Sequence, residues 1–467
     1  MLPGWSVVLA ALVYLFVLFA VAHAADGAGR KIMRGPARTT IYALALAVYC
    51  TSWTFYGSVG FANRAGLDFL AIYVGPIMVI GLGHRLVARI VRLAKAQNIT
   101  SIADFVGARY GKSERVAALV TIIAVVAALP YVALQLKAVS SSLSVFIEIS
   151  DGTQINDKLP VLGDLALLVA LVLAAFAVAF GTRHIDATEH QDGLVVAIAL
   201  ESVVKLVAFL IGGFFVVYWM NDGLGAILQK AAQPALNDQI PLLERTSSLT
   251  TFLTLTVLSA FAALLLPRQF HMAIVENRDE RDVRRAAWLF PLYLILINLF
   301  VLPIAISGET LLNLNPAERD MTVLLLPLSK GAGLIAMIVF IGGLSAATAM
   351  VIVASVALAI MISNHLVMPL VVRGRSLLSQ WRRTQSAAPS LETGGGDLGS
   401  LVITIRRIAI MMIVLLGYVY YRAAGDAALA SIGLLSFAAT AQIGPVFVAG
   451  LVWRRGTAPG ASAGLLV

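Results

Sequence analysis

Cysteine is almost absent. Cys50 is the only one in 467 residues, which excludes an intrachain disulfide and any zinc site built on paired thiolates. Charge is scarce too: Asp, Glu, Lys and Arg make up 13% of the chain against 60% hydrophobic residues, and mean hydropathy is +0.90. So little polar surface cannot cover a water-soluble protein of this length, so the composition points to a polytopic helical membrane protein. The six histidines (His23, His84, His184, His190, His271 and His365) lack metal-ligand spacing. A Walker loop, an HExxH helix and a GxSxG elbow are all missing, and the sequence offers no catalytic arrangement. The net charge of +9 is compatible with nucleic acid, but the basic loops lack the interleaved aromatics that such binding uses.

What remains is a succession of apolar runs. A helix needs roughly 20 apolar residues to cross ~30 Å of hydrocarbon, and candidate spans fall at about 4–23, 39–61, 67–91, 115–149, 160–181, 190–220, 247–270, 286–307, 330–362, 402–422 and 427–453. Another begins near Gly460 and is cut off at Val467. Lys137 and Lys205 lie within spans; the other basic residues fall in or beside loops, mostly on alternate ones. Cytoplasmic loops retain positive charge, which places 24–38, 84–114, 182–189, 271–285, 363–401 and 454–459 inside and the N-terminus outside. Residues 5–20 resemble a signal peptide followed by Ala22-His23-Ala24, yet the first residues carry no Lys or Arg, and a retained span is the better reading. The stretch 374–400, with Gly394-Gly395-Gly396, reads as a cytoplasmic linker.

Several spans carry residues that lipid does not tolerate. Tyr49-Cys50-Thr51-Ser52-Trp53-Thr54-Phe55-Tyr56-Gly57-Ser58-Val59-Gly60 places hydroxyls and glycines in mid-span. It reads either as an interrupted helix whose free carbonyls face a cavity or as a small-residue helix interface. Gly342-Gly343-Leu344-Ser345-Ala346-Ala347-Thr348-Ala349 has the same two readings, with Ser345 and Thr348 as oxygen ligands for a hard cation. Glu189 and Asp192 flank His190 at the mouth of the sixth span and are candidates for an ion pathway, or simply solvated. Glu201 and Lys205 are four apart on one helix face, where a neutralised pair is expected. Trp53 and Tyr56 beside the interruption, with Tyr131 and Gln135 one turn apart on another span, are the candidate solute-cavity residues; interhelical packing is their alternative.

From about Ile41 onward the chain resembles the sodium:solute symporter family. The resemblance rests on ordered segments: Ile99-Thr100-Ser101-Ile102-Ala103-Asp104-Phe105 leading to Arg109-Tyr110-Gly111, Tyr131 through Leu136, Thr188-Glu189 with Gly193-Leu194, Pro267-Arg268-Gln269-Phe270-His271, and Gly444-Pro445 through Arg455. It implies an all-α, LeuT-like fold of two inverted five-helix repeats with one extra N-terminal helix, cut short at the C-terminus. Residues 1–38 would form the extra helix and a basic loop, and 39–467 the symporter-like domain, with repeats at about 39–220 and 247–453. It also implies a Na⁺ site using carbonyls of Ala47, Cys50 and Gly342 and the hydroxyl of Ser345. Ala346 replaces one of the family's paired hydroxyls, unless Thr348 supplies it.

The run from Tyr49 to Gly60, continuing through Gly66-Leu67-Asp68-Phe69-Leu70 and Gly75-Pro76, is similar to a narrower group. So is Leu344–Val351 with Ser363-Asn364 and Met368-Pro369. These resemble the symporter-like N-terminal membrane domains of CbrA-type bacterial sensor histidine kinases. That resemblance implies an input domain in the bacterial inner membrane that binds a small nutrient, an amino acid or short carboxylate, with transport by alternating access as an added capacity. PAS and kinase domains would follow in a longer polypeptide, working as a dimer. The alternative is a stand-alone symporter driven by Na⁺ or H⁺.

Overall fold

The structure, a computed structural model, describes residues 3–32, 35, 37–151, 164–181, 191–231, 241–312, 314–315, 318–373, 396–425, 427–453 and 455–467. Helices account for nearly all of them, and no strand occurs among the described residues. This is the outcome that lipid dictates, because a spanning segment must satisfy its own backbone hydrogen bonds. Eight described helical runs are long and apolar enough to cross a bilayer, nine with the bent pair Leu249–Leu265 and Pro267–Val275. The sequence predicts eleven full spans. The difference lies in interrupted helices and in Leu165–Gly181, of which 17 residues are described. The protein is a multi-pass membrane protein.

The second predicted span is broken in its middle. Helix Arg38–Ala45 tightens into a 3₁₀ turn, Leu46–Tyr49, and Cys50 is extended at φ −79°, ψ 99°. A wide turn at Trp53–Gly57 then leads into helix Ser58–Ala65. Gly66, at φ +55°, is in a conformation that only glycine adopts freely, and there the chain reverses. The Tyr49 hydroxyl thus reaches the Ile72 carbonyl at 2.8 Å, where an unbroken helix would separate the two residues by more than 30 Å.

A second break has a different origin. Pro267 forces the residue before it out of the helical region, and Leu266 is extended at φ −59°, ψ 131°. Pro267 then opens the next helix, where its missing N–H costs nothing. The two halves meet at 52°.

Three long helices enclose these breaks: Glu114–Asp151, Asp192–Phe214 and Gly333–Ile362. The last is buried along almost its whole length, whereas the N-terminal helix Gly4–Ile32 turns Trp5, Leu9 and Phe16 outward toward lipid. Gly342 and Gly343 permit close approach in the core. A Cβ on Gly342 would fall 2.4 Å from Ala208 Cβ, and one on Gly343 would fall 2.0 Å from the Tyr56 hydroxyl.

Ion pairs mark the ends of the bundle. At one end Arg38 meets Asp282 at 3.0 Å and Arg92 meets Glu280 at 2.8 Å. At the other, Arg64 meets Asp320 at 3.1 Å, and Asp320 also accepts the Leu429 N–H at 2.8 Å. Arg38 and Arg64 bound one interrupted span, so the break at Cys50–Ser52 lies about halfway through the membrane.

Candidate functional site

The first break exposes backbone carbonyls, and a lysine from another helix answers them. Lys205 is fully buried, and its Nζ donates to the Ala47 and Cys50 carbonyls at 2.7 Å each. These are the two carbonyls that the resemblance assigns to Na⁺. An ammonium group with the same single charge stands against them.

Glu201, one turn before Lys205, bonds elsewhere. Its carboxylate accepts the Thr348 hydroxyl, and its backbone carbonyl accepts the Ser345 hydroxyl at 2.9 Å. The expected Glu201–Lys205 pair is therefore not formed: each side chain is held by a different tertiary partner. Gly342 packs its Cα against Ala208 and Phe55. The five positions expected around a cation thus divide: Ala47 and Cys50 engage Lys205, Ser345 and Thr348 engage Glu201, and Gly342 makes room for side chains.

Beside the lysine, the extended segment is held by Glu114–Asp151. The Thr51 and Tyr131 hydroxyls are 2.9 Å apart, and the Ser52 N–H donates to Gln135 Oε1 at 3.1 Å. Thr51 Oγ1 also accepts the Trp53 N–H at 3.3 Å. One turn of helix separates Tyr131 from Gln135, and that spacing lets both side chains grip consecutive residues of the break.

Tyr131 lies between two further groups. On one side the Phe437 ring is stacked, centroids 5.8 Å apart with an interplanar angle of 7°. The guanidinium of Arg268, from the second break, lies 4.2 Å from the Tyr131 ring centroid. Arg268 is 1% exposed, and its Nε and Nη2 have no hydrogen-bond partner. Gln269 reaches back to the first break, its Nε2 donating to the Leu46 carbonyl at 3.4 Å.

The four expected cavity residues therefore separate. Tyr131 and Gln135 sit at the break. Trp53 begins the following turn and is fixed to helix Leu429–Ala441, its Nε1 donating to the Ala430 carbonyl at 3.4 Å. Tyr56 points away into packing with Gly343 and Phe55. Of the expected ion pathway, Asp192 is paired with Arg278 at the end of the bundle; Glu189 lies outside the described residues. Sequence reasoning missed Arg268 and Phe437. Arg268 carried a usable signal: it follows a proline inside an apolar run, where a charge needs a reason.

No family model matches the chain. An uncharacterized symporter of Bacillus subtilis (strain 168), YhjB, is 26% identical over 297 residues, covering 63% of this chain and 56% of that protein. The alignment thus spans little more than half the length of that curated relative. A solved structure of a Na⁺-coupled sialic acid symporter, in a substrate-bound outward-open state, superposes with a TM-score of 0.64. It covers 100% of this chain and 90% of its own, at 14% identity. The fold is LeuT-like. In that arrangement the paired breaks are the first helices of two inverted repeats, which meet near the bilayer midplane.

Proposed function

We propose that this chain is a solute symporter working by alternating access, with Lys205 serving as its built-in cation. The observation that carries the reading is Lys205 Nζ at 2.7 Å from both the Ala47 and Cys50 carbonyls, at a helix break in mid-membrane. Both named relatives are symporters, which favours this reading over a sensor-kinase input domain. The solute binds between the breaks beside Trp53, Tyr131 and Gln135. The N-terminus is outside, as the basic loops require, in a bacterial cytoplasmic membrane.

A Lys ammonium carries the charge of Na⁺ but can shed it as a proton, which an Arg cannot. In the closed state Lys205 ties the first break to Asp192–Phe214. When its proton passes to water on the inward side, the neutral amine loses its electrostatic hold on the two carbonyls and the first broken span is free to move. A solute affects this equilibrium only through its different affinity for the two access states. The coupling ion is then H⁺, and Na⁺ has no separate place at these carbonyls.

The test is charge movement on solid-supported membranes carrying proteoliposomes, triggered by jumps in pools of amino acids and short carboxylates. The expected current persists in Na⁺-free buffer, requires an inward proton gradient for uptake, and is absent in Lys205→Met. Currents that appear only with Na⁺ would overturn the proton reading. Silence of the native protein under every gradient and pool would overturn transport itself.

A further inference from the structure

Arg268 presents an unused hydrogen-bonding edge in the middle of the membrane. The guanidinium is fully delocalised and always charged, so it cannot relieve its burial by losing a proton. One face rests on the Tyr131 ring at 4.2 Å. Its two orphaned nitrogens are Nε and Nη2, the neighbouring pair that forms the side-on fork of an arginine. That fork matches the two oxygens of a carboxylate and binds them in parallel.

The charge count points the same way. Between the breaks, the described residues hold two cations, Lys205 and Arg268, and one carboxylate, Glu201. Lys205 is answered by two carbonyls and Glu201 by Thr348. No acidic side chain pairs with Arg268 among the described residues, and buried charges are ordinarily paired. The position also suits a ligand. Arg268 stands immediately after the second break, and the tyrosine beneath it is bonded to Thr51 in the first, so a group bound there touches both moving elements. Ser52 Oγ, on the first break, and Gln269 Oε1, beside Arg268, are buried without a partner too, and they offer acceptors for a donor elsewhere on the same molecule.

From this geometry we infer that Arg268 is the receptor for the carboxylate of the transported solute, making this a site for small organic acids, amino acids included. The inference rests on the reading of the paired breaks as the solute site. The anion completes the charge between the breaks and draws the second break toward Tyr131. Binding energy is thereby placed on the joint that alternating access must move.

Binding is measured without any gradient, so it can be separated from transport. The purified chain in nanodiscs is melted by tryptophan fluorescence with each of the twenty L-amino acids and with C2–C6 monocarboxylates. Every acid is paired with its primary amide, and inorganic phosphate serves as a further probe. At least one acid should raise the melting temperature while its amide does not. Arg268→Lys keeps the charge but loses the fork, and should weaken that acid at least tenfold. Arg268→Gln should abolish the shift while the ligand-free protein still melts cooperatively. Equal shifts by an acid and its amide, a shift by phosphate alone, no shift by any acid, or full affinity in Arg268→Lys would each overturn the assignment. Binding of an acid without current would leave this site standing and sink the symporter reading. Currents evoked by jumps in the primary amides but not in the acids would do the reverse.

Discussion

The two helix breaks were made by different means and are left in different conditions. At the second, Pro267 breaks the helix through its own covalent geometry, and Leu266 follows. At the first no proline is present; the extended segment is held by partners from other helices, namely Tyr131, Gln135 and Lys205. Each break carries one buried cation. The one at the first is answered by two carbonyls, whereas the one at the second has two free nitrogens. A satisfied buried charge fixes structure, and an unsatisfied one is held ready for something that arrives.

Removing each cation in turn tests this contrast most directly. Lys205→Met leaves two buried carbonyls without their donor, at about 1–3 kcal/mol for each group, so it should give the largest fall in melting temperature. In Lys205→Ala the space is open, and NaCl in place of KCl should recover part of the loss while leaving the native protein unchanged. Arg268→Met should cost far less: it forfeits a cation–π contact of about 1 kcal/mol but also relieves the cost of burying an unpaired charge. Thermal melts of the three variants against the native protein, without added solute, decide the matter. If Arg268→Met falls further than Lys205→Met, the contrast between the breaks is wrong.

Much of this was legible in the sequence, because the forces that write spans act locally. Twenty apolar residues between basic loops mean a crossing whatever the rest of the chain does. Hydroxyls and glycines around Thr51 likewise mark a helix in trouble. What the sequence could not convey is which distant group meets a freed carbonyl. Glu201 and Lys205 look paired because i, i+4 neighbours are close on any helix; yet Lys205 bonds residues 158 and 155 positions away, and Glu201 bonds Thr348. Tyr56 lies three residues past Trp53, but the wide turn at Trp53–Gly57 sends it to the Gly343 interface. Arg268, directly after Pro267, sat two residues from the end of the span read at about 247–270 and beside the basic loop 271–285, where a positive charge draws no notice. Only the fold shows that the chain stays inside the membrane beyond that proline.

A smaller effect sharpens the first break. Tyr131→Phe deletes one hydroxyl from the grip on Thr51, while Thr51 keeps its bond to the Trp53 N–H and Gln135 keeps Ser52. The loss should be about 1 kcal/mol in a melt, well below that of Lys205→Met. A loss as large as the lysine's would make Tyr131, and not the ammonium, the group that holds the break open.

The smallest effect belongs to the bundle's end, where water competes. Asp279 caps helix Glu280–Asn298 by accepting the Arg281 N–H at 2.9 Å, and it also meets Arg38 at 3.4 Å. That backbone N–H, ahead of the Arg38 and Arg281 charges, holds its carboxyl below the usual range. A group so depressed binds its proton less readily folded than unfolded, so its contribution is complete at neutral pH. It is lost as pH falls from the ordinary Asp value through the lower folded one. Asp279→Ala should therefore cost about 1 kcal/mol of cap energy near pH 7. Melts of the variant and the native protein should begin to converge below about pH 4 and meet once the pH is under the lower folded value. Salt should weaken the Arg38 part of the interaction and spare the cap, because an exposed ion pair is screened and a hydrogen bond to a neighbouring N–H is not. A gap between the two proteins that persists unchanged into acid would show that Asp279 acts through packing and not through its charge.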